Sequence, residues 1–205
     1  MSSEPRDGPS SEIDPDAAIM LRVGDGDEAA FAGLVERYHQ EVMNLGWRYF
    51  RDRQLAEDVA QETFLRVYRA RKRYRAEAKF RTWLLRIATN LCISQLRKKR
   101  VSAHSLTAGD DEQQRDVHDG DADDPAAAPE LVEMQRRVRE AVERLPERQR
   151  VAILLSRFHG MTYPELEEAL ELSRPALKSL LHRARESLRK ELEAYMAADL
   201  PGVES

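Results

Sequence analysis

Apolar side chains recur along this chain at three- and four-residue spacing, in bands separated by polar or turn-forming stretches. Phe31, Leu34, Val35 and Tyr38 stand at i, i+3, i+4 and i+7, and Val42, Leu45 and Tyr49 continue the stripe. That period puts them on one face of an amphipathic helix. The helical pattern opens at about residue 16 and is punctuated at Arg51-Asp52-Arg53. A further helix is expected over about 54–70, with Ala56, Val59, Ala60, Thr63, Phe64, Val67 and Tyr68 inward. Residues 71–79, RKRYRAEAK, break the period and read as a loop, after which Phe80, Trp83, Leu84, Ile87, Ala88 and Leu91 resume it.

The period is then lost. Residues 101–129 are Gly, Asp, Ser, Ala and Pro with almost no large apolar side chains, too polar to pack and too long for a loop within one compact domain. Helicity returns at Pro129-Glu130, with a stripe of Leu131, Met134, Val138, Ala141, Val142 and Leu145. Pro146 punctuates, and a buried-looking helix containing VAILLSRF ends at Gly160, a residue suited to the left-handed conformation that closes a helix. Thr162 and Glu165 have capping-box spacing before a short helix to Leu170. Ser173 is placed to cap the last helix, where Pro175 is tolerated because first-turn amides lack helical partners. No alternating strand pattern or hairpin signal occurs.

The expected fold is therefore all-α. Two small helical domains, residues 16–100 and 130–195, are joined by a flexible acidic linker at 101–129, between a disordered tail at 1–15 and a short tail at 196–205.

Composition adds exclusions. No apolar run approaches the roughly 20 residues needed to cross a bilayer, and the acidic, polar start MSSEPRDGPSSEIDPD is not a secretory signal. A single cysteine, Cys92, excludes an internal disulfide and a Cys-rich zinc site. These features point to the cytoplasm. No phosphate-cradling glycine loop, nucleophile elbow or metal-ligand cluster is present, and the five histidines are dispersed, so neither catalysis nor a cofactor is expected. His159, beside Gly160, reads as a helix-end residue near the C-terminal dipole.

The net charge of −4 conceals strong segregation. Residues 66–100 carry thirteen Lys and Arg against one acid, Glu77, whereas residues 110–130 carry nine acids and one base, Arg115. Local clusters of this kind set the field that a phosphate backbone feels. In the basic block Tyr68, Tyr74, Phe80 and Trp83 are interleaved with cations, the mixture of stacking platform and positive charge that single-stranded nucleic acid requires. Trp83 and Phe80 fit a core equally well. Thr82, Arg86, Asn90 and Arg97 fall along the opposite, polar face, where Asn90 offers a donor and an acceptor to a base edge. Asp58, Gln61, Glu62 and Leu65 form a mixed acidic and apolar patch, readable as a protein-docking surface or as a solvated helix face.

Residues 162–190 have the spacing of a helix-turn-helix. Leu177, Leu181, Ala184 and Leu188 form the packing face of its second helix, with Lys178, His182, Arg185 and Arg189 on the adjacent one and Arg183 nearby. Such side chains can reach phosphates while the helix N-terminus enters a major groove. A helical bundle with a solvated basic face has the same spacing.

At these residues the chain resembles the extracytoplasmic-function (group IV) sigma factors of bacterial RNA polymerase. Residues 16–100 match region 2 through Ala56-Glu57, Asp58, Gln61-Glu62, Phe64, Phe80, Trp83-Leu84, Ile87-Ala88 and Asn90. Residues 130–195 match region 4 through Leu145-Pro146-Glu147, Gly160, Leu166, Lys178-Ser179 and Leu181-His182-Arg183-Ala184-Arg185. The resemblance implies that Asp58, Gln61, Glu62 and Leu65 bind core RNA polymerase at the β′ clamp, with region 4 on the β flap. It implies that Tyr74, Lys79, Phe80, Arg81, Trp83, Arg86 and Asn90 melt the −10 element of promoter DNA and hold a base flipped from the non-template strand. Arg174, Lys178, Ser179, His182, Arg183 and Arg185 would contact the −35 duplex, the linker would run toward the RNA exit path, and an anti-sigma factor would hold the protein inactive.

The chain departs from the family pattern at Ser94-Gln95, where an acid is frequent, at Arg81, which replaces an aromatic, and at Pro175. Leu180 stands where an arginine is common; arginine reads a guanine edge bidentately and leucine cannot. Two other readings use the same residues. One is a stand-alone helix-turn-helix regulator that binds duplex DNA by itself. The other is an interaction protein that sequesters polymerase partners without starting transcription.

Overall fold

The computed structural model describes residues 13–105 and 129–198. The expected disorder of the N-terminal tail, the flexibility of the linker beyond residue 105 and the C-terminal tail lie outside the described residues. Every described element is helical: α1 (Pro15–Gly24), α2 (Glu28–Phe50), α3 (Arg53–Ala70), a 3₁₀ turn (Arg71–Arg73), α4 (Phe80–Ser105), α5 (Pro129–Arg144), α6 (Glu147–Phe158), α7 (Tyr163–Leu170) and α8 (Arg174–Ala198).

Aspartates start the N-terminal helices. Asp27 accepts the Ala30 amide at 2.9 Å and Asp52 the Leu55 amide at 3.0 Å, each satisfying an amide that lacks a helical partner. Asp14 does this twice: its carboxylate accepts from Ala17 N–H in α1 and from Phe80 N–H at the start of α4, both at 3.0 Å. One side chain thus ties two helix starts together across 66 residues. The break between α1 and α2 at Asp25-Gly26-Asp27 is absent from the hydrophobic pattern, because both helices present apolar residues to the same core.

Helices α2 and α3 form a tight antiparallel pair. A Cβ on Gly46 would lie 2.9 Å from the Ala56 Cα and 3.1 Å from its Cβ, so only glycine permits this approach. Leu34, Val42, Leu45, Tyr49, Val59, Phe64 and Val67 fill the space between them, and α4 closes it with Phe80, Leu84, Leu85 and Leu91. In the C-terminal half α6 contributes Val151, Leu154 and Leu155, α7 Leu166, and α8 Leu177, Leu181 and Ala184. The capping box joins Thr162 and Glu165 as expected, and Gly160 takes a φ of 59° after the end of α6.

Four expectations require correction. Helix α4 runs to Ser105, so the helical period outlasts its large apolar side chains and the first residues assigned to the linker are helical. The 71–79 segment is not wholly a loop, since its first three residues form the 3₁₀ turn. Thr82, assigned to the polar face of α4, is buried. The α5 stripe packs only at its C-terminal end: Ala141, Val142 and Leu145 are buried, while Leu131, Met134 and Val138 are exposed.

The two halves are packed together. Helix α7 lies against α4, and α6 against α2. Arg150 of α6 sits 5.2 Å over the Tyr49 ring of α2, and Arg48 of α2 sits 4.1 Å from the Phe158 ring centroid at the end of α6.

Candidate nucleic-acid interface

The basic block expected to hold single-stranded DNA folds as the 3₁₀ turn, the segment after it and the first half of α4. Phe80 is fully buried and touches Tyr38, Tyr74 and Trp83, with ring centroids 5.4, 6.3 and 5.9 Å away. It is a core residue, and the expectation that it presents a stacking face to DNA is corrected. Tyr74 is also largely buried, against Trp83 at 4.8 Å, but both line a cavity of about 300 Å³. Arg73, Arg75 and Arg86 line the same cavity, and Glu168 of α7 forms part of its wall.

This cavity has the parts of a base-sized site. The aromatic pair and the three arginines share its lining, with Glu77 beside them. The buried Tyr74 hydroxyl has no hydrogen-bond partner among the described residues. Burial, with the Asp14 and Glu168 carboxylates adding to it, pushes that hydroxyl up to about 12, so it remains a protonated donor at neutral pH. Asn90 lies exposed farther along α4, outside this cavity. It lines a small cleft with Thr89, Ile93, Leu170, Leu172 and Leu180.

Arg81, Lys79 and Arg86 each meet a carboxylate; Arg81 and Arg86 are half-buried, whereas Lys79 stays exposed. Arg81 donates to Glu41 of α2, at 2.9 Å from its Nε, and to the His159 carbonyl at 2.6 Å. His159 is buried, with Nδ1 3.2 Å from Glu41 Oε1. Burial by itself would raise the Glu41 carboxyl, but hydrogen bonds to His159 and Arg81 outweigh it and hold Glu41 below its ordinary value. Arg81 is thus a tie between the halves of the molecule. Lys79 Nζ stands 2.9 Å from Glu165 Oε1, and Arg86 Nη1 3.6 Å from Glu171 Oε1. Sequence analysis missed Glu41, Glu165, Glu168 and Glu171. The three-residue spacing of carboxylates along α7 was the available signal, hidden because Glu165 already serves the capping box.

In the helix-turn-helix Arg174, Lys178, Ser179, His182, Arg183 and Arg185 are all exposed on α8. Arg174 pairs with Glu167 and lies 5.8 Å over the Tyr163 ring. Lys178, Arg183 and Arg185 have no carboxylate partner among the described residues, and they form a basic edge able to reach phosphates. Leu180 is turned away from this edge and buried in the cleft against α4. On α3, Asp58, Gln61 and Leu65 are exposed along the side opposite the packing face, and Glu62 beside them pairs with Arg66 at 2.7 Å. The patch is contiguous, with one large apolar side chain amid polar groups.

Known proteins share this organisation. Residues 34–101 match Sigma-70 region 2 and residues 135–188 match Sigma-70 region 4. The RNA polymerase sigma-H factor of Pseudomonas aeruginosa is 34% identical over 184 residues, covering 88% of this chain and 95% of the relative. The ECF RNA polymerase sigma factor SigW of Bacillus subtilis is 33% identical over 176 residues, covering 83% and 93%. Among solved structures, CnrH in complex with the cytosolic domain of CnrY shares the fold at a TM-score of 0.64 and 24% identity, covering 88% of this chain and 99% of that one. The sigma factor RpoE of Bartonella quintana, solved with the anti-sigma factor NepR, does so at 0.62 and 20%, covering 80% and 96%. With both regions matched in order and close relatives aligned along nearly their whole length, this chain belongs to the extracytoplasmic-function sigma factors of the sigma-70 family.

Proposed function

We propose that this sigma factor docks on the β′ clamp of core RNA polymerase through Asp58, Gln61, Glu62 and Leu65 of α3, with its C-terminal half on the β flap. Around the cavity of Tyr74 and Trp83 it captures a base flipped from the non-template strand of the −10 element. The cations of the 71–79 segment and α4 hold the phosphates on either side, and Asn90 contacts the strand beyond. The basic edge of α8 anchors the −35 duplex. No bond of the substrate is broken by the protein; the work is binding energy, each stacked base contributing about 1–3 kcal/mol toward strand separation. Because core polymerase holds both halves, each can bind DNA weakly by itself. An anti-sigma factor controls it in the cytoplasm, a reading supported by the fold shared with sigma factors solved alongside such partners.

The observation that carries this reading is the meeting of an aromatic pair, Tyr74 and Trp83, with three arginines in the lining of one base-sized cavity. Transcription with purified core polymerase on fragmented genomic DNA, followed by sequencing of RNA 5′ ends, tests it. Discrete starts that require the protein and share two upstream elements are expected. Asn90→Ala and Trp83→Ala should bind core and lose open complexes, and normal open-complex formation by both would remove the strand-capture assignment.

A further inference from the structure

We propose that α1 is a strut that sets the shape of the strand-capture cavity, with Asp14 and Gly24 as positioning residues at its two ends. This rests on the strand-capture reading above and names what holds that site in place. The segment that supplies Arg73, Tyr74 and Arg75 to the cavity runs from Arg71 to Phe80, and α1 meets it at both ends. At its start, Gly24 lies so close to Arg71 that an added Cβ would stand 2.9 Å from the Arg71 carbonyl oxygen. At its finish, the Phe80 amide donates to the Asp14 carboxylate at 3.0 Å, to the same oxygen that accepts the Ala17 amide of α1. Neither Asp14 nor Gly24 lines the cavity, so each acts through the chain it pins.

The ten residues of α1 rise about 15 Å. The nine peptide units from Arg71 to Phe80 could extend to roughly 30 Å. Pinned at both ends, the segment therefore carries more chain than its span needs. The 3₁₀ turn of Arg71–Arg73 takes up part of the excess, and the chain beyond it folds inward, setting Tyr74 against Trp83 at 4.8 Å. The strut is itself fixed on α2. Met20 and Val23 are buried, and Asp16 accepts from the Tyr38 hydroxyl and pairs with Arg37. Arg22 Nε donates to Asp27, the cap of α2, at 3.1 Å. A binding site works only when supporting contacts hold its groups within about 0.5 Å of the productive geometry. Loosening either end of α1 leaves the aromatic pair and the arginines present but misplaced.

The test uses the full chain, alone and in holoenzyme. Residues 71–79 hold five Lys and Arg, so limited trypsin digestion reads the freedom of the segment. Gly24→Ala favours the helix and presses it against the Arg71 carbonyl. Asp14→Ala releases the Phe80 amide, whereas Asp14→Asn keeps an oxygen for it. Gly33→Ala, where an added Cβ meets nothing within 4 Å, is the control. Gly24→Ala and Asp14→Ala should speed cleavage within 71–79 relative to the rest of the chain; Asp14→Asn and Gly33→Ala should not.

Holoenzyme is then bound to a fork-junction template, taken from a promoter found by the transcription assay, with the −10 non-template strand unpaired. Gly24→Ala and Asp14→Ala should weaken this binding by about tenfold, within what one stacked base contributes. They should also narrow the preference among the four bases at the captured position, which a general loss of stability would not alter. Affinity for a duplex carrying the −35 element alone should be unchanged. Trp83→Ala on the same fork-junction template is the reference for strand capture. If it binds normally, the strand-capture reading fails and the proposal with it. If Trp83→Ala loses binding while Gly24→Ala and Asp14→Ala keep both affinity and base preference, the proposal fails alone. Unchanged cleavage in both variants, or an equal effect of Gly33→Ala, also overturns it.

Discussion

Replacing Gly46 by alanine opposes two effects of known size. In a helix interior alanine is favoured over glycine by about 1 kcal/mol, so propensity alone predicts a stabilised protein. The structure predicts the reverse. The new Cβ would lie 2.9 Å from the Ala56 Cα, and this atom belongs to the backbone of α3 and cannot swing aside as the end of a side chain would. Overpacking of this kind costs about 1–3 kcal/mol, so the net effect is a loss of up to roughly 2 kcal/mol after the propensity gain of about 1 kcal/mol. Thermal unfolding followed by circular dichroism should show a fall in Tm of up to several degrees, at about 2–4 °C per kcal/mol for a chain of this size. The clash also forces α3 outward, and with it Asp58, Gln61 and Leu65, so binding to core polymerase should weaken in parallel. Adding Ala56→Gly removes the 3.1 Å Cβ contact, and the double variant should be more stable than the sum of the two single effects. A Tm above that of the unaltered protein would refute the argument, because helix propensity would then have outweighed the α2–α3 approach.

Acid should open the seam between the halves. Burial alone would raise the Glu165 carboxyl, but Lys79 and Thr162 hold it down at about 2, and Glu41 is likewise depressed by His159 and Arg81. Groups depressed in the closed form favour that form above their ordinary value of 4.5, and the contribution drains away as pH falls toward 2. Glu168, raised by burial against the pull of Arg86, acts in the opposite sense and partly offsets the loss. Energy transfer between dyes at Ala32→Cys and Glu193→Cys, in a Cys92→Ser background, should therefore decline below about pH 4.5, and a constant signal would show that Glu165 and Glu41 do not secure the contact. Burial also pushes the Cys92 thiol up to about 12, so almost no thiolate exists at neutral pH and iodoacetamide should label it only after denaturation. Rapid labelling of the native protein would contradict its placement in the core. On the duplex side, Arg185→Ala should weaken holoenzyme binding to its promoter and reduce the slope of log affinity against log salt by about 1; an unaltered slope would remove Arg185 from the phosphate contacts.

Much of this protein was written in its periodicity and turn chemistry. The stripe from Phe31 to Tyr49, the capping box of Thr162 and Glu165, and the left-handed Gly160 each depend on neighbours within a few residues, so reading along the chain was enough to place them. The two-block pattern of the sigma-factor family was legible for the same reason. Periodicity shows which face of a helix is apolar, but not which partner covers it. Leu131, Met134 and Val138 continue the stripe of Ala141 and Val142 yet stay exposed, because α5 packs on α8 and only its C-terminal end is covered. Phe80 and Trp83 are adjacent aromatics in the same basic block, and only the packing of Tyr38 and Tyr74 sends one into the core and leaves the other at a cavity. Charge segregation likewise identified a basic surface but not its occupant. Lys79 and Glu165 are 86 residues apart, and no local rule links a capping glutamate to a distant lysine. That pairing, and the burial of Leu180 in the cleft by Asn90 and Ile93 farther along α4, exists only once α7 has been laid on α4, because contacts between elements depend on three-dimensional complementarity that spacing along the chain does not encode.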